Sequence, residues 1–421
     1  MSPIENKAKR LDTDFVRSQF PAFQANKSKD WIFFENAGGA YVPVTVIEKL
    51  NRFFVEHKIQ PYGASALSRK AGAEMDEAYV AMGDLLNVHP DEITFGPSTT
   101  LNFYVLAQSL INQFSIGDEI IVTNQDHEAN IGAWRRLTEF GVVIREWQID
   151  KENGELDTKD LERLITPRTK LICCTLCSNL VGTHNDITTI SDMAKQVGAL
   201  IVADGVSYAP HMVPDLQKLG ADFYAFSTYK TFGTHQGIMW GSKAALEMTK
   251  TQSHYFNDSV PRYRLNPTGP QHAEIAALSG VTEYFDLLYF HHFGRASKCQ
   301  TLNDRARKVY QLIAKHETVL ANKLLSYLSA RPNIRLLGQD RAMVGQRAST
   351  ISFSIPGLAS SDIEKSLANK NIAAGSGDFY ARRCLEAMGI DPKDGVVRVS
   401  MVHYNTEQEV DYLIDMLDGI I

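Results

Sequence analysis

An α/β fold is predicted, with a large domain built on a mostly parallel sheet and a smaller α+β domain after it, and three features predict it. Short apolar runs alternate with amphipathic helical patterns from about residue 85 to 245, long helical stretches take over after Gly280, and the chain has 421 residues. That length exceeds what one hydrophobic core usually organises, so 30–285 is assigned to the large domain and 1–29 with 286–421 to the small one.

The strands are expected at DEIIVT (118–123), GVVIREWQI (141–149), KLICCTL (170–176), GALIVAD (198–204), DFYAFST (222–228) and QGIMWG (236–241). Between them ANIGAWRRLTEF, LDTKDLERLI and ITTISDMAKQV carry apolar positions at three- and four-residue spacing, as helices with one buried face do. Strands separated by such helices imply a mostly parallel sheet covered on both faces. Beyond Gly280, TLNDRARKVYQLIAKHETVLANKLLSYLSA has the pattern of a long helix, STISFSI and VVRVSMVHY of strands, and EQEVDYLIDML of a closing helix. The segment up to about Asp30 is too short to fold alone and is expected to pack on this second unit.

Hydrophobic residues make up 44% and charged residues 22%, the balance of a water-soluble globular chain, which leaves no room for collagen, coiled coil or extended disorder. Lys and Arg total 43 against 49 Asp and Glu, a net charge of −6, so no basic excess exists to hold a nucleic acid. The opening MSPIENKAKRLDTDF is charged where a signal peptide is apolar, and no run approaches the roughly 20 apolar residues that span a bilayer; a cytoplasmic protein without a membrane partner is expected. Five cysteines are too few for a disulfide framework. Cys174 and Cys177 form a C-x-x-C, but inside an apolar run with no second pair or His pair, so a buried strand is expected there and no metal.

In an open parallel sheet, ligands collect at the carboxyl ends of the strands, where loops converge and helix N-termini point their N–H groups into one crevice. Polar residues stand at such ends: Ser98, Thr99 and Thr100 before an apolar stretch, His127 after DEIIVT, Asn179 after the cysteine strand, Asp204 after GALIVA and Lys230 after DFYAFST. A lysine close to an apolar strand is partly desolvated, which lowers its pKa and suits it to attack a carbonyl and hold a Schiff base; alone, it reads more readily as a solvated loop residue. Asp204 ends another apolar strand, and a carboxylate at that depth needs a cationic partner, such as the ring nitrogen of pyridoxal phosphate. His127 suits the face of that ring or a proton relay, and in isolation equally an ordinary loop histidine. Ser98, Thr99 and Thr100 suit a phosphate at a helix start, and equally a simple N-cap.

The order and spelling of FFENAGGAYVP, FGPSTTLNFYVLA, GDEIIVTNQDHEANIGAW, CSNLVGTHNDI, ADGVSYAPH, DFYAFSTYKTFG and VVRVSMVHYNTEQEVDYL resemble the class V aminotransferases, in particular the cysteine desulfurase-like branch of the fold type I pyridoxal-phosphate enzymes. The resemblance runs from about residue 30 to 415. It implies pyridoxal 5'-phosphate as cofactor, with Lys230 as its Schiff-base lysine, Asp204 at the pyridine nitrogen and His127 stacked on the ring. By the same resemblance Thr99, Thr100 and Ser227 match phosphate positions, Tyr229 replaces a histidine that contacts the phosphate, and Val206 and Ser207 replace residues beneath the ring and at its oxygen. Asn179 matches a residue near the ring oxygen and the substrate carboxylate, and Arg398 the carboxylate arginine. A homodimer is implied, with 268–273 (TGPQHA) reaching the neighbour's phosphate.

The departures bear on the reaction. Desulfurases of this kind carry a loop written roughly R-x-G-H-H-C-A, and the matching stretch is GSGDFYA (375–381), with Tyr380 at the cysteine position and Gly375 at the arginine position. A phenol with pKa near 10 cannot accept sulfur as a thiolate does. Cys384, four residues on and about one helical turn away, is the lesser alternative, a displaced nucleophile. A small-molecule amino-acid substrate follows from the resemblance, and β-elimination at a sulfur-substituted amino acid, a C–S lyase reaction, is the expected activity because it needs no loop nucleophile. Transamination or epimerisation is the alternative, and a pyridoxal-phosphate-binding scaffold whose catalysis has lapsed is the alternative of another class. Tyr380 is expected to line the substrate pocket or assist proton transfer.

Overall fold

The computed structural model describes residues 10–267 and 269–421. Residues 1–9 of the N-terminal segment and Thr268 of the TGPQHA stretch lie outside that range. Among the described residues no helix is long and apolar enough to cross a membrane, and no cluster of three His, Cys, Asp or Glu side chains could hold a metal.

The first strand is short, β1 (Ile32–Phe33), and seven later ones form the central sheet: β2 (Ile93–Gly96), β3 (Glu119–Thr123), β4 (Val143–Trp147), β5 (Thr169–Thr175), β6 (Leu200–Asp204), β7 (Phe223–Ser227) and β8 (Gly237–Gly241). Their order is β2-β8-β7-β6-β5-β3-β4. Only β8 runs against its neighbours; the remaining pairings, from β4 through β7, are parallel. The expected sheet is present, with β5 ending at Thr175, so that Cys177 stands in the loop beyond the strand and not within it.

Successive side chains of a strand point to opposite faces, and the two cores follow that period. Ile120, Val122, Phe223 and Ala225 join one cluster with Phe103, Leu106 and Trp134, whereas Ile121, Tyr224 and Phe226 join the other with Tyr79, Tyr284 and Phe285. Apolar side chains cover both faces, as a near-continuous apolar strand requires.

The small domain carries β9 (Arg335–Leu336), β10 (Thr350–Ser354), β11 (Ile372–Ala373), β12 (Gly375–Gly377) and β13 (Val396–Ser400). Four of these make an antiparallel sheet in the order β12-β13-β10-β9, and β11 pairs with β1 in parallel. Its core holds Phe34, Leu320, Leu324, Leu328, Ile351, Phe353, Val397, Val399 and Leu413. The helix Leu302–Ser329 begins in a capping box of Thr301 and Asp304 and feeds both bodies. Its Ala306, Val309, Tyr310 and Ile313 belong to the large core, and Leu320, Leu324 and Leu328 to the small one. The 285/286 boundary drawn from the sequence falls inside the helix Ser279–Phe293, which packs on the large-domain helices Val44–Glu56 and Ala66–Leu86.

The N-terminal segment closes the seam between the two bodies. Phe20 is fully buried with its ring edge-on to Tyr284 and Tyr404, and Arg17 pairs with Glu409 at 2.8 Å. Just after β1, Asn36 is buried and donates to the Ser400 carbonyl at 2.7 Å and to Asn405 Oδ1 at 3.2 Å, while its own Oδ1 accepts from the Tyr404 hydroxyl. Removing this side chain strands several buried polar groups at once, each costing about 1–3 kcal/mol when unpaired. Asn36→Ala is expected to lower unfolding free energy by about 2–3 kcal/mol in urea denaturation; a loss under about 0.5 kcal/mol would show the network to be replaceable.

Candidate active site

At the carboxyl ends of β3, β5, β6 and β7 the chain leaves a cleft of about 480 Å³, its open mouth included, bordered by Thr99, His127, Asn179, Asp204, Ser227 and Lys230. Ser98, Thr100, Val206, Ser207 and Tyr229 also line it. Every residue assigned to the cofactor from the sequence therefore meets in one place. Arg398 and Tyr380, assigned to the substrate, approach from the small domain.

One wall is a helix start. The helix Thr99–Leu110 begins with Ser98 as its N-cap, whose hydroxyl accepts from the Leu101 N–H at 3.2 Å. Thr99 is buried with its hydroxyl 2.8 Å from that of Ser227, and Thr100 is exposed at the mouth. The first N–H groups of a helix lack intrahelical acceptors, so this end favours an anion. Strand β8 brings the helix close: a β-carbon on Gly237 would stand 2.4 Å from the Thr99 nitrogen, a separation only glycine permits.

The floor is charged and buried. Lys230 ends a 3-10 turn, Thr228–Lys230, directly after β7, and only 7% of it is exposed. Burial pushes its pKa down to about 8, with Arg398 adding repulsion and Asp204 working in the opposite direction. Asp204, the last residue of β6, accepts from the Val206 N–H at 2.8 Å through Oδ1. Burial raises its pKa to about 6, so it is a carboxylate at neutral pH that lacks a full complement of partners.

His127 stands beyond β3, and its Nδ1 accepts from the Ala129 N–H at 3.1 Å, which places the ring proton on Nε2. Burial, then Lys230 and Arg398, push its pKa down to about 3, so the imidazole is neutral. Its loop is held by Asp126, which the sequence reading passed over. This buried carboxyl accepts from Asn130 Nδ2 at 2.8 Å and from the Thr123 hydroxyl, and burial raises its pKa to about 7. The signal was present in the spacing of Thr123, Asp126 and Asn130, but short polar spacings of this kind recur in ordinary loops.

On the small-domain side Arg398, the third residue of β13, is fully buried within the sheet and donates through Nη1 to the Asn179 carbonyl at 3.1 Å. Its Nε and the Oδ1 of Asn179 are buried with no hydrogen-bond partner among the described residues. The guanidinium lies over the Phe379 ring at 3.7 Å, a contact the sequence did not reveal. Tyr380 is 72% exposed, with its ring centroid 5.3 Å from that of His127. Cys384 sits on the helix Arg382–Ala387, buried, with burial pushing its thiol up to about 12. Cys177 lines the cleft, and burial pushes its thiol up to about 12 as well.

The family model described as "Aminotransferase class-V" matches residues 32–413. The aminotransferase-like protein FGM3 of Gibberella zeae is 35% identical over 96% of this chain and 98% of its own length. The cysteine desulfurase-like protein ustD of Aspergillus flavus is 32% identical over 100% of this chain and 92% of its own. Among solved structures, the Escherichia coli cysteine desulfurase CsdA superposes with a TM-score of 0.81 at 25% identity, covering 97% of this chain and 98% of that one. An apo cysteine desulfurase from Thermococcus onnurineus NA1 shares the fold at TM-score 0.83 and 23% identity, covering 98% of each chain.

The electrostatics of the floor can be read out directly. Reductive methylation of Lys230, followed by peptide mass spectrometry, is expected to reach half its maximal rate near pH 8. Asp204→Asn should move that midpoint lower and Arg398→Gln should move it higher. A midpoint at the ordinary lysine value of 10.5 would contradict the buried environment.

Proposed function

The chain belongs to the class V aminotransferase family, and on that premise we propose that it cleaves a sulfur substituent from the β-carbon of an amino acid, as a C–S lyase. It is a pyridoxal-phosphate enzyme with a small-molecule amino-acid substrate. The cleft fits that cofactor: a helix N-terminus with spare N–H groups suits the phosphate, and an under-partnered buried carboxylate suits a protonated ring nitrogen. Thr99, Thr100 and Ser227 would hold the phosphate, with Ser98 capping the helix and Tyr229 adjacent. Asp204 would face the ring nitrogen, neutral His127 and Val206 the two ring faces, and Ser207 with Asn179 the ring oxygen. Bound there, the cofactor supplies an electron sink that acidifies a substrate's α-carbon.

The chain's own residues supply the rest. Arg398 and Asn179 orient the substrate carboxylate, because the free Nε edge of the guanidinium is a charged donor left unused inside the protein. Lys230, with its pKa near 8, can hold a proton taken from the α-carbon and return it at neutral pH. The small-domain sheet and the cleft floor exclude water from both groups.

The observation that carries the lyase reading is the state of the thiols. Cys384 and Cys177 are both buried and held protonated far above neutral pH, and the loop position nearest His127 is a tyrosine. Among the described residues that line the cleft or its loop no thiolate is available to accept sulfur, whereas elimination asks only for a base and a leaving group on the β-carbon. The homodimer is part of the same proposal, supported by exposed Tyr62, Tyr255 and Phe256 around the groove between 60–62 and 253–267, as is a cytoplasmic location, supported by cysteines that are all unpaired.

With an S-alkyl-L-cysteine, the expected products are pyruvate, ammonia and thiol in equal amounts, identified by mass spectrometry. Lys230→Ala is expected to lower kcat by about 10²- to 10⁴-fold, while Cys384→Ala stays within about twofold of the parent. Keto acid accompanied by aminated cofactor, with no thiol released, would replace the lyase assignment with transamination.

A further inference from the structure

The loop that links β12 to the helix Arg382–Ala387 has a conformation unlike an ordinary turn. Phe379 and Tyr380 are consecutive non-glycine residues in the left-handed region, at φ 47° and 59°. Backbone of this kind costs about 1–2 kcal/mol per residue and persists only where its surroundings fix it. Three bonds do so here. Asn179 Nδ2 donates to the Phe379 carbonyl at 2.9 Å, the Glu128 N–H donates to the Tyr380 carbonyl at 2.8 Å, and the Tyr380 N–H donates to Asp378 Oδ1 at 2.9 Å. Two of the three come from residues in or beside the cleft.

The result of this clamping is the placement of one ring. Phe379 lies face-on to the Arg398 guanidinium at 3.7 Å from its centroid. The ring fits because β12 begins with glycine: a β-carbon on Gly375 would stand 2.9 Å and 3.2 Å from two carbons of the Phe379 ring. Gly375 pairs directly with Arg398 across the sheet, so the space it leaves lies beside the guanidinium. A guanidinium with one nitrogen bonded to a carbonyl can still turn about its side-chain torsions. An aromatic face fixes its plane, and with it the direction of the buried, unpartnered Nε edge.

We propose that Phe379 is the positioning residue for carboxylate recognition: it holds the Arg398 guanidinium in the plane that presents its free edge to the substrate's α-carboxylate, and Gly375 exists to admit the ring. The inference rests on the reading of Arg398 as the carboxylate arginine. Phe379 contributes nothing to the proton transfers, and its effect is confined to ligands that carry the anion.

The test compares two ligands that differ only in that anion, L-alanine and ethylamine, by equilibrium titration of the cofactor-loaded protein followed through its absorption spectrum. Phe379→Leu keeps bulk and removes the aromatic face, and it is expected to weaken L-alanine by roughly ten- to thirtyfold, the worth of a desolvated cation–aromatic contact. Ethylamine is expected to change by less than about twofold. Gly375→Ala, which displaces the ring from the other side, should reproduce that selective loss, and Phe379→Tyr should restore L-alanine to within about threefold of the parent. An unchanged preference for L-alanine in Phe379→Leu, while Arg398→Gln abolishes it, would overturn the role of Phe379 alone. A preference that survives Arg398→Gln would remove the carboxylate reading of Arg398, and the inference with it.

Discussion

Asp204 ends β6 and Lys230 ends the turn that directly follows the neighbouring β7, and both are buried with few partners within the chain. Each charge opposes the other's desolvation, but the repulsion of Arg398 on the lysine leaves the pair incompletely compensated. That unfinished electrostatics is the constraint to which the remaining structure answers. It requires a tight parallel sheet to hold two ionisable groups at its edge of loops, and a second domain to cover them. It also leaves demand for a bound ligand that carries a cation on one side and an electrophilic carbon on the other.

The anion end of the site obeys a separate requirement, met by backbone alone. The helix at Thr99 is brought to the strand ends because Gly237 has no side chain to hold it away, so the proposed phosphate seat depends on a glycine outside the seat itself. A similar indirectness recurs in the small domain, where Gly375 governs the arginine opposite it by making room for a phenylalanine. In both places a missing β-carbon fixes where charge is presented.

Much of this was legible in the sequence. The alternation of apolar runs and helical patterns located six of the seven central strands, and polar residues after strands located the cleft, because both depend on periods that local sequence carries. The four-residue strand β2 and the pairing of β1 with β11 were not legible, since so few residues carry no clear period and the partner of the two-residue β1 lies more than 300 residues away. Phe379 was passed over for a physical reason: its role depends on a left-handed backbone and on a contact with a strand of different sequence position, neither of which composition encodes. Cys177 was placed in a strand because its neighbours are apolar, whereas β5 stops two residues earlier and leaves the thiol at the cleft wall.

The continuous helix Leu302–Ser329 contributes apolar side chains to both bodies, and the Asn36 network meets it midway, where His316 Nε2 lies 2.8 Å from the Asn405 carbonyl. Such a shaft, with one half packed in each core, resists hinge-like parting, since separating Arg398 from Lys230 would require bending 28 residues of regular helix or stripping one half from its core. Traffic of reactants is therefore cheapest through the existing mouth of the cleft, where Thr100 already meets solvent and no domain need move.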